Sequence, residues 1–148
     1  ELARTRFHLG ADAMTYQEHL PSGRAAVMGD PDELKAAVWN LIDNAIKYSP
    51  ATVRIDVGLE ELEGGRVAVR VRDRGVGILP SELKRIFRRF YRVPTAVAMR
   101  AKGSGLGLFI VRSVAKKHGG RAFAESAGAG EGSTFTLLLP KATEPAGG

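Results

Sequence analysis

The sequence predicts a two-layer α/β sandwich: a mixed β-sheet with helices packed on one face. Three observations carry that prediction. Short alternating apolar runs outnumber the helical ones, two long amphipathic stripes are bounded by recognisable caps, and the helical stretches are interleaved with hairpin signals.

The elements follow in order. Residues 1–29 are weakly patterned, with short strands expected at 15–19 and 25–28. Asp30 then offers an N-cap, Pro31 suits a first helical turn, and Glu33 stands where it can complete a capping box. Leu34, Ala37, Val38, Leu41, Ile42 and Ala45 make the core stripe of that helix, and Pro50 is expected to stop it. On another face Asn40, Asn44 and Lys47 recur about one turn apart.

Two alternating runs, Val53-Ile55-Val57-Leu59 and Val67-Val69-Val71, flank Glu63-Gly64-Gly65 and read as a strand pair with one buried face. Asp73-Arg74-Gly75-Val76-Gly77 ends the second strand in a loop. A short helix is expected over residues 80–90 and a mobile loop over 91–103. A second long helix opens at Gly103-Ser104-Gly105-Leu106-Gly107, with Leu106, Ile110, Val111 and Val114 toward the core. It ends at Lys116-Lys117-His118 before Gly119. Strands at 121–126 and 133–139 close the chain. Residues 1–141 are expected to form one domain, and 142–148 a disordered tail.

Bulk properties narrow the function. At 148 residues, 44% apolar and 26% charged, the chain has the make-up of a soluble globular domain. No apolar run approaches the ~18–20 residues that cross a bilayer, and no signal peptide is expected at the start of the chain. The absence of cysteine excludes disulfides and thiolate metal sites and fits a cytoplasmic location. The net charge is +6, yet residues 84–102 alone hold seven basic side chains and no acid, so the remainder is near neutral. Such a cluster implies an anionic partner.

Four clusters carry chemistry. In Asn40-Leu41-Ile42-Asp43-Asn44-Ala45-Ile46-Lys47-Tyr48, an amide oxygen suits a hard cation such as Mg²⁺, and a lysine one turn on can reach phosphate. By itself the cluster could equally be a solvated helix face. In Asp73-Arg74-Gly75-Val76-Gly77, a carboxylate at a strand end can accept from an exocyclic amine, and the glycines admit a flat base, although an isolated Asp-x-Gly is more often an ordinary turn. Phe87-Arg88-Arg89-Phe90-Tyr91-Arg92 sets two aromatics that pack at i,i+3 beside arginines able to swing onto phosphates. Gly103-Ser104-Gly105-Leu106-Gly107-Leu108 puts glycine-freed amides at a helix N-terminus, an anion site. Leu108 stands where a dinucleotide fingerprint wants glycine, and the Gly-Lys-Ser/Thr ending of a P-loop is missing.

Taken in sequence, the clusters resemble the N, G1, F and G2 boxes of bacterial sensor histidine kinases. The ending His118-Gly119-Gly120, Ser126 and Gly130-Glu131-Gly132-Ser133-Thr134-Phe135 resembles that family too, so the likeness runs over residues 25–140. It implies the Bergerat ATP-binding fold, shared with gyrase, heat-shock chaperone and mismatch-repair ATPases.

By that resemblance Asn44 holds Mg²⁺, Lys47 touches phosphate and Tyr48 borders the nucleotide, with Asn40 on the same face. Asp73 accepts from the adenine amine in a pocket shaped by Gly75, Gly77 and Ile78. Phe90 anchors a lid from which Arg92 and Lys102 reach the γ-phosphate; Lys47 and Arg92 are the residues assigned to catalysis. Gly103, Ser104, Gly105, Leu106, Gly107 and Leu108 let the lid fold over the triphosphate. Ser133 stands where the family often has threonine, and Pro94 where an acidic residue is common, leaving a wholly basic lid.

Two absences shape the implied reaction. Gyrase-like relatives place a glutamate where Asn40 stands, and an amide cannot activate water. His8, His19 and His118 all lack the context of a phosphoaccepting histidine. The resemblance therefore implies a kinase that donates the γ-phosphoryl group of Mg·ATP to a histidine on a separate dimerisation domain, with a response regulator downstream. It also implies the cytoplasmic part of a membrane-bound sensor. Alternatives are a serine kinase of the anti-sigma type, separable by the acid stability of the phosphoamino acid, a nucleotide-gated module without transfer, and a nucleic-acid binder using the basic stretch. The last lacks a recognition fold.

Overall fold

The structure, a computed structural model, describes residues 5–50, 52–93 and 105–142. Five strands form one mixed sheet: β1 (Met14–His19), β2 (Ile55–Leu62), β3 (Arg66–Asp73), β4 (Arg121–Glu125) and β5 (Ser133–Pro140), in the spatial order β1-β2-β3-β5-β4. Only β1 and β2 run parallel, joined across helix α1 (Pro31–Lys47); the other neighbours are antiparallel. Helix α2 (Gly107–Lys117) bridges β3 to β4, and both helices pack on one face of the sheet and on each other. The predicted two-layer sandwich is what forms.

Period-2 alternation decides what faces the helices. Val71 of β3, Ile55 of β2 and Phe135, Leu137 and Leu139 of β5 point into the core, with Ala37, Leu41, Ile42 and Ala45 of α1 and Val111, Val114 and Ala115 of α2 against them. The same alternation carries Asp73 onto the inner face, beside Ile55 on one side and Ser133 on the other. A carboxylate thus ends an apolar row.

The capping of α1 differs from the expected box. Asp30 accepts from the backbone N–H of Asp32 (2.9 Å) and Glu33 (3.2 Å). The reciprocal bond to the Asp30 N–H comes not from Glu33, which pairs with Lys117 at 2.6 Å, but from His118 Nε2 at 3.1 Å. His118 Nδ1 lies 2.7 Å from the Val114 carbonyl. Since the Asp30 N–H can only donate, Nε2 accepts and the ring proton sits on Nδ1. One neutral imidazole therefore closes the end of α2 and the start of α1. Gly29 gives it room, as a Cβ there would stand 2.2 Å from the ring. Replacing His118 by alanine removes two hydrogen bonds and strands a donor; a loss of about 2 kcal/mol is expected, read by urea unfolding.

Helix α1 ends at Lys47, capped by Tyr48, with Pro50 two residues beyond the cap, as expected. Three other expectations are corrected. Residues 25–28 form no strand: β1 already occupies the edge beside β2, and the segment touches the rest through Val27 and one bond from Ala142 N to the Ala26 carbonyl (2.6 Å). Residues 80–90 make two 3₁₀ turns, Pro80–Glu82 and Arg85–Phe87, instead of one helix. Neither has a side-chain cap, and tight turns are what short uncapped segments adopt. Ile110 is half-exposed at a cavity mouth rather than in the core, because it lies outside the arc of α2 that meets the sheet. The tail and most of the expected loop fall at 143–148 and 94–104, outside the described residues.

Candidate functional site

At the end of the sheet where β3 stops and β5 begins, a cavity of about 570 Å³ opens between α1, the loop after β3, the 3₁₀ turns and the start of α2. Its lining includes Asn40, Asn44, Lys47 and Tyr48 from α1 and its cap, Asp73, Gly77 and Ile78 from the end of β3, and Arg92 beyond the turns. Gly105, Leu106, Gly107, Leu108 and Ser133 line it too, whereas Gly75 and Phe90 of the predicted set do not. Four clusters spread over residues 40–108 thus converge on one concavity, joined by Ser133. Lys102, Gly103 and Ser104 lie outside the described residues.

Asp73 is 2% exposed and its Oδ1 accepts the Gly75 N–H at 2.9 Å. Burial pushes its carboxyl above the usual range, and hydrogen bonds from Gly75 and Ser133 partly offset that. Such a group is primed to accept a further donor, because each new hydrogen bond compensates its lost hydration.

On α1, Lys47 pairs with Asp43, one turn earlier, at 2.8 Å. Both side chains are more than a third exposed, so an anion in the cavity can compete for the ammonium at small expense. Asn40 donates to the Ala36 carbonyl at 3.0 Å, which directs its amide oxygen toward the first residue of α2. Among the described residues no side chain caps the N-terminus of α2, and the first amides of a helix are suited to an anion.

Two glycines serve a different purpose from the one expected. A Cβ on Gly75 would lie 2.1 Å from the Tyr48 carbonyl oxygen, and one on Gly77 would lie 2.0 Å from that of Gly128. Gly77 also has φ +74°. Both glycines let backbone approach backbone, so they shape the pocket by closing it, and Gly75 does not reach the lining.

Phe90 also departs from expectation. Phe87 is core, edge-on to Phe135 at 6.1 Å, but Phe90 is 59% exposed and outside the cavity lining. Its φ of +62° turns the chain there, and its N–H donates to the Gly105 carbonyl at 3.0 Å. The turn sends the Phe90 ring outward while Tyr91 and Arg92 enter the lining.

The motifs alone miss part of the site. Glu82, almost buried, lines the cavity and takes the hydrogen bond of the Tyr91 hydroxyl, which holds that phenol above its usual range. Val76, Leu79, Ile86 and Ala129 add apolar wall. For Glu82, a lone acid two residues before the basic run that begins at Lys84 was the available signal. Asp43 could have been found from its i,i+4 spacing to Lys47.

A family model for histidine kinase-, DNA gyrase B- and HSP90-like ATPases matches residues 29–143. The chain is 41% identical over 121 residues to the sensor-like histidine kinase SenX3 of Mycolicibacterium smegmatis, covering 80% of this chain and 30% of that protein. It therefore spans less than a third of that relative. A solved structure of the mycobacterial sensor histidine kinase MprB superposes with a TM-score of 0.77 at 32% identity, over 97% of this chain and 91% of that one. Full-length ShkA, solved in complex with AMPPNP, superposes at 0.73 and 27% identity over 97% of this chain and 28% of its own. The chain belongs to the histidine kinase-, DNA gyrase B- and HSP90-like ATPase family, as an ATP-binding catalytic domain of the sensor histidine kinase kind.

Proposed function

We propose that residues 1–141 act as one domain that holds Mg·ATP in the cavity and donates its γ-phosphoryl group to a histidine on a dimerisation domain of the same parent protein. A response regulator would receive the group in turn. The observation that carries this reading is the convergence of Asp73, Asn44, Lys47 and the start of α2 on one cavity. The complex of ShkA with AMPPNP supports an adenine nucleotide as occupant.

The donor set fits a metal that arrives with its nucleotide. Among the described residues no group of three or more His, Cys, Asp or Glu could hold an ion alone. Asn44 supplies an amide oxygen, and Mg²⁺ readily takes one or two protein ligands together with phosphates and water. When bound, the ion would neutralise charge on the phosphates. Lys47 and Arg92 would add cationic side chains around the transferring group, and the amides of α2 would receive phosphate oxygens. Asp73 would fix the base.

Transfer rather than hydrolysis follows from Asn40, whose amide cannot take a proton from water. None of the described helices is long and apolar enough to cross a membrane. We place the domain on the cytoplasmic side of a membrane-bound sensor, where ATP is available.

The test is incubation with γ-labelled ATP, with and without a separately produced dimerisation domain of the parent. Label should appear on the added domain alone and be lost in acid. Strong self-labelling, or rapid phosphate release by the chain alone, would overturn the assignment of roles.

A further inference from the structure

We infer that Ser126 is a positioning residue for the base end of the cavity, its hydroxyl tying the loop after β3 to the loop between β4 and β5. The inference rests on the ATP reading above for its functional consequence and on geometry alone for the tie.

Ser126 follows the last residue of β4. Its Oγ accepts from the Ile78 N–H at 3.0 Å and from the Gly128 N–H at 3.2 Å, and donates to the Gly132 carbonyl at 2.7 Å. A hydroxyl has one proton and two lone pairs, so all its capacity is used. Two backbone bonds run alongside: Gly130 N–H to the Val76 carbonyl at 2.7 Å and Gly132 N–H to the Gly75 carbonyl at 3.2 Å. Gly77 and Gly128 are in backbone contact between them. The two loops thus form a seam with the serine hydroxyl as its only side-chain tie among the described hydrogen bonds.

Val76, Gly77 and Ile78 on one side of the seam and Ala129 on the other all line the cavity, while Ser126 does not. It acts through them. Gly128, Gly130 and Gly132 all have positive φ and lend the second loop little stiffness of its own. Without the hydroxyl, the Ile78 and Gly128 N–H groups lose their acceptor and turn to water, which parts the loops. Asn40, Asn44, Lys47 and Arg92 stand on other elements, so the phosphate end should be unaffected. Ser126 is also absent from the hydrophobic core cluster, and the β4–β5 ladder ends before it.

The experiment compares parent, Ser126→Ala and Ser126→Thr by titration with Mg·ATP and with magnesium tripolyphosphate, which has no base. Ser126→Ala should weaken ATP about ten-fold, leave tripolyphosphate within about two-fold, and be restored by threonine, which keeps the hydroxyl. Amide exchange should accelerate together at residues 75–78 and 128–132 in Ser126→Ala without nucleotide. Equal losses on both ligands, unchanged ATP affinity, or unchanged exchange would overturn the inference. If the alanine variant does not fold, Ser126→Cys, with weaker hydrogen bonds, carries the same comparison. A parent that binds tripolyphosphate as well as ATP would instead remove the adenine assignment, and the exchange comparison alone would then decide the tie.

Discussion

Replacing Asp73 by asparagine is expected to weaken ATP binding about 10- to 100-fold, the loss of a charge-assisted hydrogen bond in a dry pocket. The swap is nearly isosteric, and the amide oxygen can still accept the Gly75 N–H now bound at 2.9 Å. What changes is the other oxygen: an amide NH₂ in its place meets the adenine amine donor to donor. The same NH₂ would suit the carbonyl oxygen of guanine, so the preference for ATP over GTP should narrow or reverse. Stability should move the other way. Burial raises the folded-state pKa of Asp73 above its ordinary 3.8, so protonation favours the fold. Its favourable contribution is complete below that ordinary value and is lost as pH climbs through the raised one. Above its raised pKa the parent carries a desolvated charge that asparagine lacks. The variant should therefore melt no lower than the parent at pH 7, with any advantage vanishing under acid conditions. A variant that binds ATP like the parent would remove Asp73 from the base pocket. One that melts well below it would show that the carboxylate has a structural role.

How far the sequence could be read follows from how local each determinant is. Asp73 was legible as a carboxylate at the end of a strand, and the two-residue step from Val67, Val69 and Val71 carries it onto the inner face. The cap of α1 and its polar face were legible for the same reason, since 3.6-residue geometry needs no partner to be recognised. The reciprocal half of that cap was not. His118 lies 88 residues from Asp30, and nothing in either segment signals the other.

The same limit explains the loop segments. An i,i+3 aromatic pair predicts Phe87 packing on Phe90, but Phe87 finds Phe135 across the sheet, and a left-handed turn at a non-glycine residue sends Phe90 outward. No propensity favours a phenylalanine there. The space that Gly75 and Gly77 leave is taken by Tyr48 and Gly128, contacts that exist only after folding. Lys47 was read as a phosphate ligand and its neighbour Asp43 passed over, although their spacing is the ordinary one for a helical ion pair.

Replacing Asn44 by alanine should abolish transfer while leaving the base pocket intact, and its signature is a dependence on metal. Asn44 sits one turn before Tyr48 on the wall of α1, with Asp43 beside it already engaged by Lys47. An amide oxygen at that position is the chain's proposed contribution to a hard cation otherwise held by phosphates and water. Removing it should weaken Mg·ATP binding by about ten-fold or more, yet change metal-free ATP by no more than about two-fold, since Asp73 and the α2 amides are untouched. Transfer to the separate dimerisation domain should fall further than affinity does, because misplacing the charge that faces the phosphates acts mainly on the transition state. Asn44→Asp separates ligation from charge. It keeps an oxygen for the metal but sets a second carboxylate next to Asp43 and the triphosphate, so intermediate Mg·ATP affinity and the poorest metal-free ATP binding are expected. If alanine weakens both forms of the nucleotide equally, the amide contacts phosphate or merely shapes the wall, and the metal ligand must be sought among other residues of the cavity.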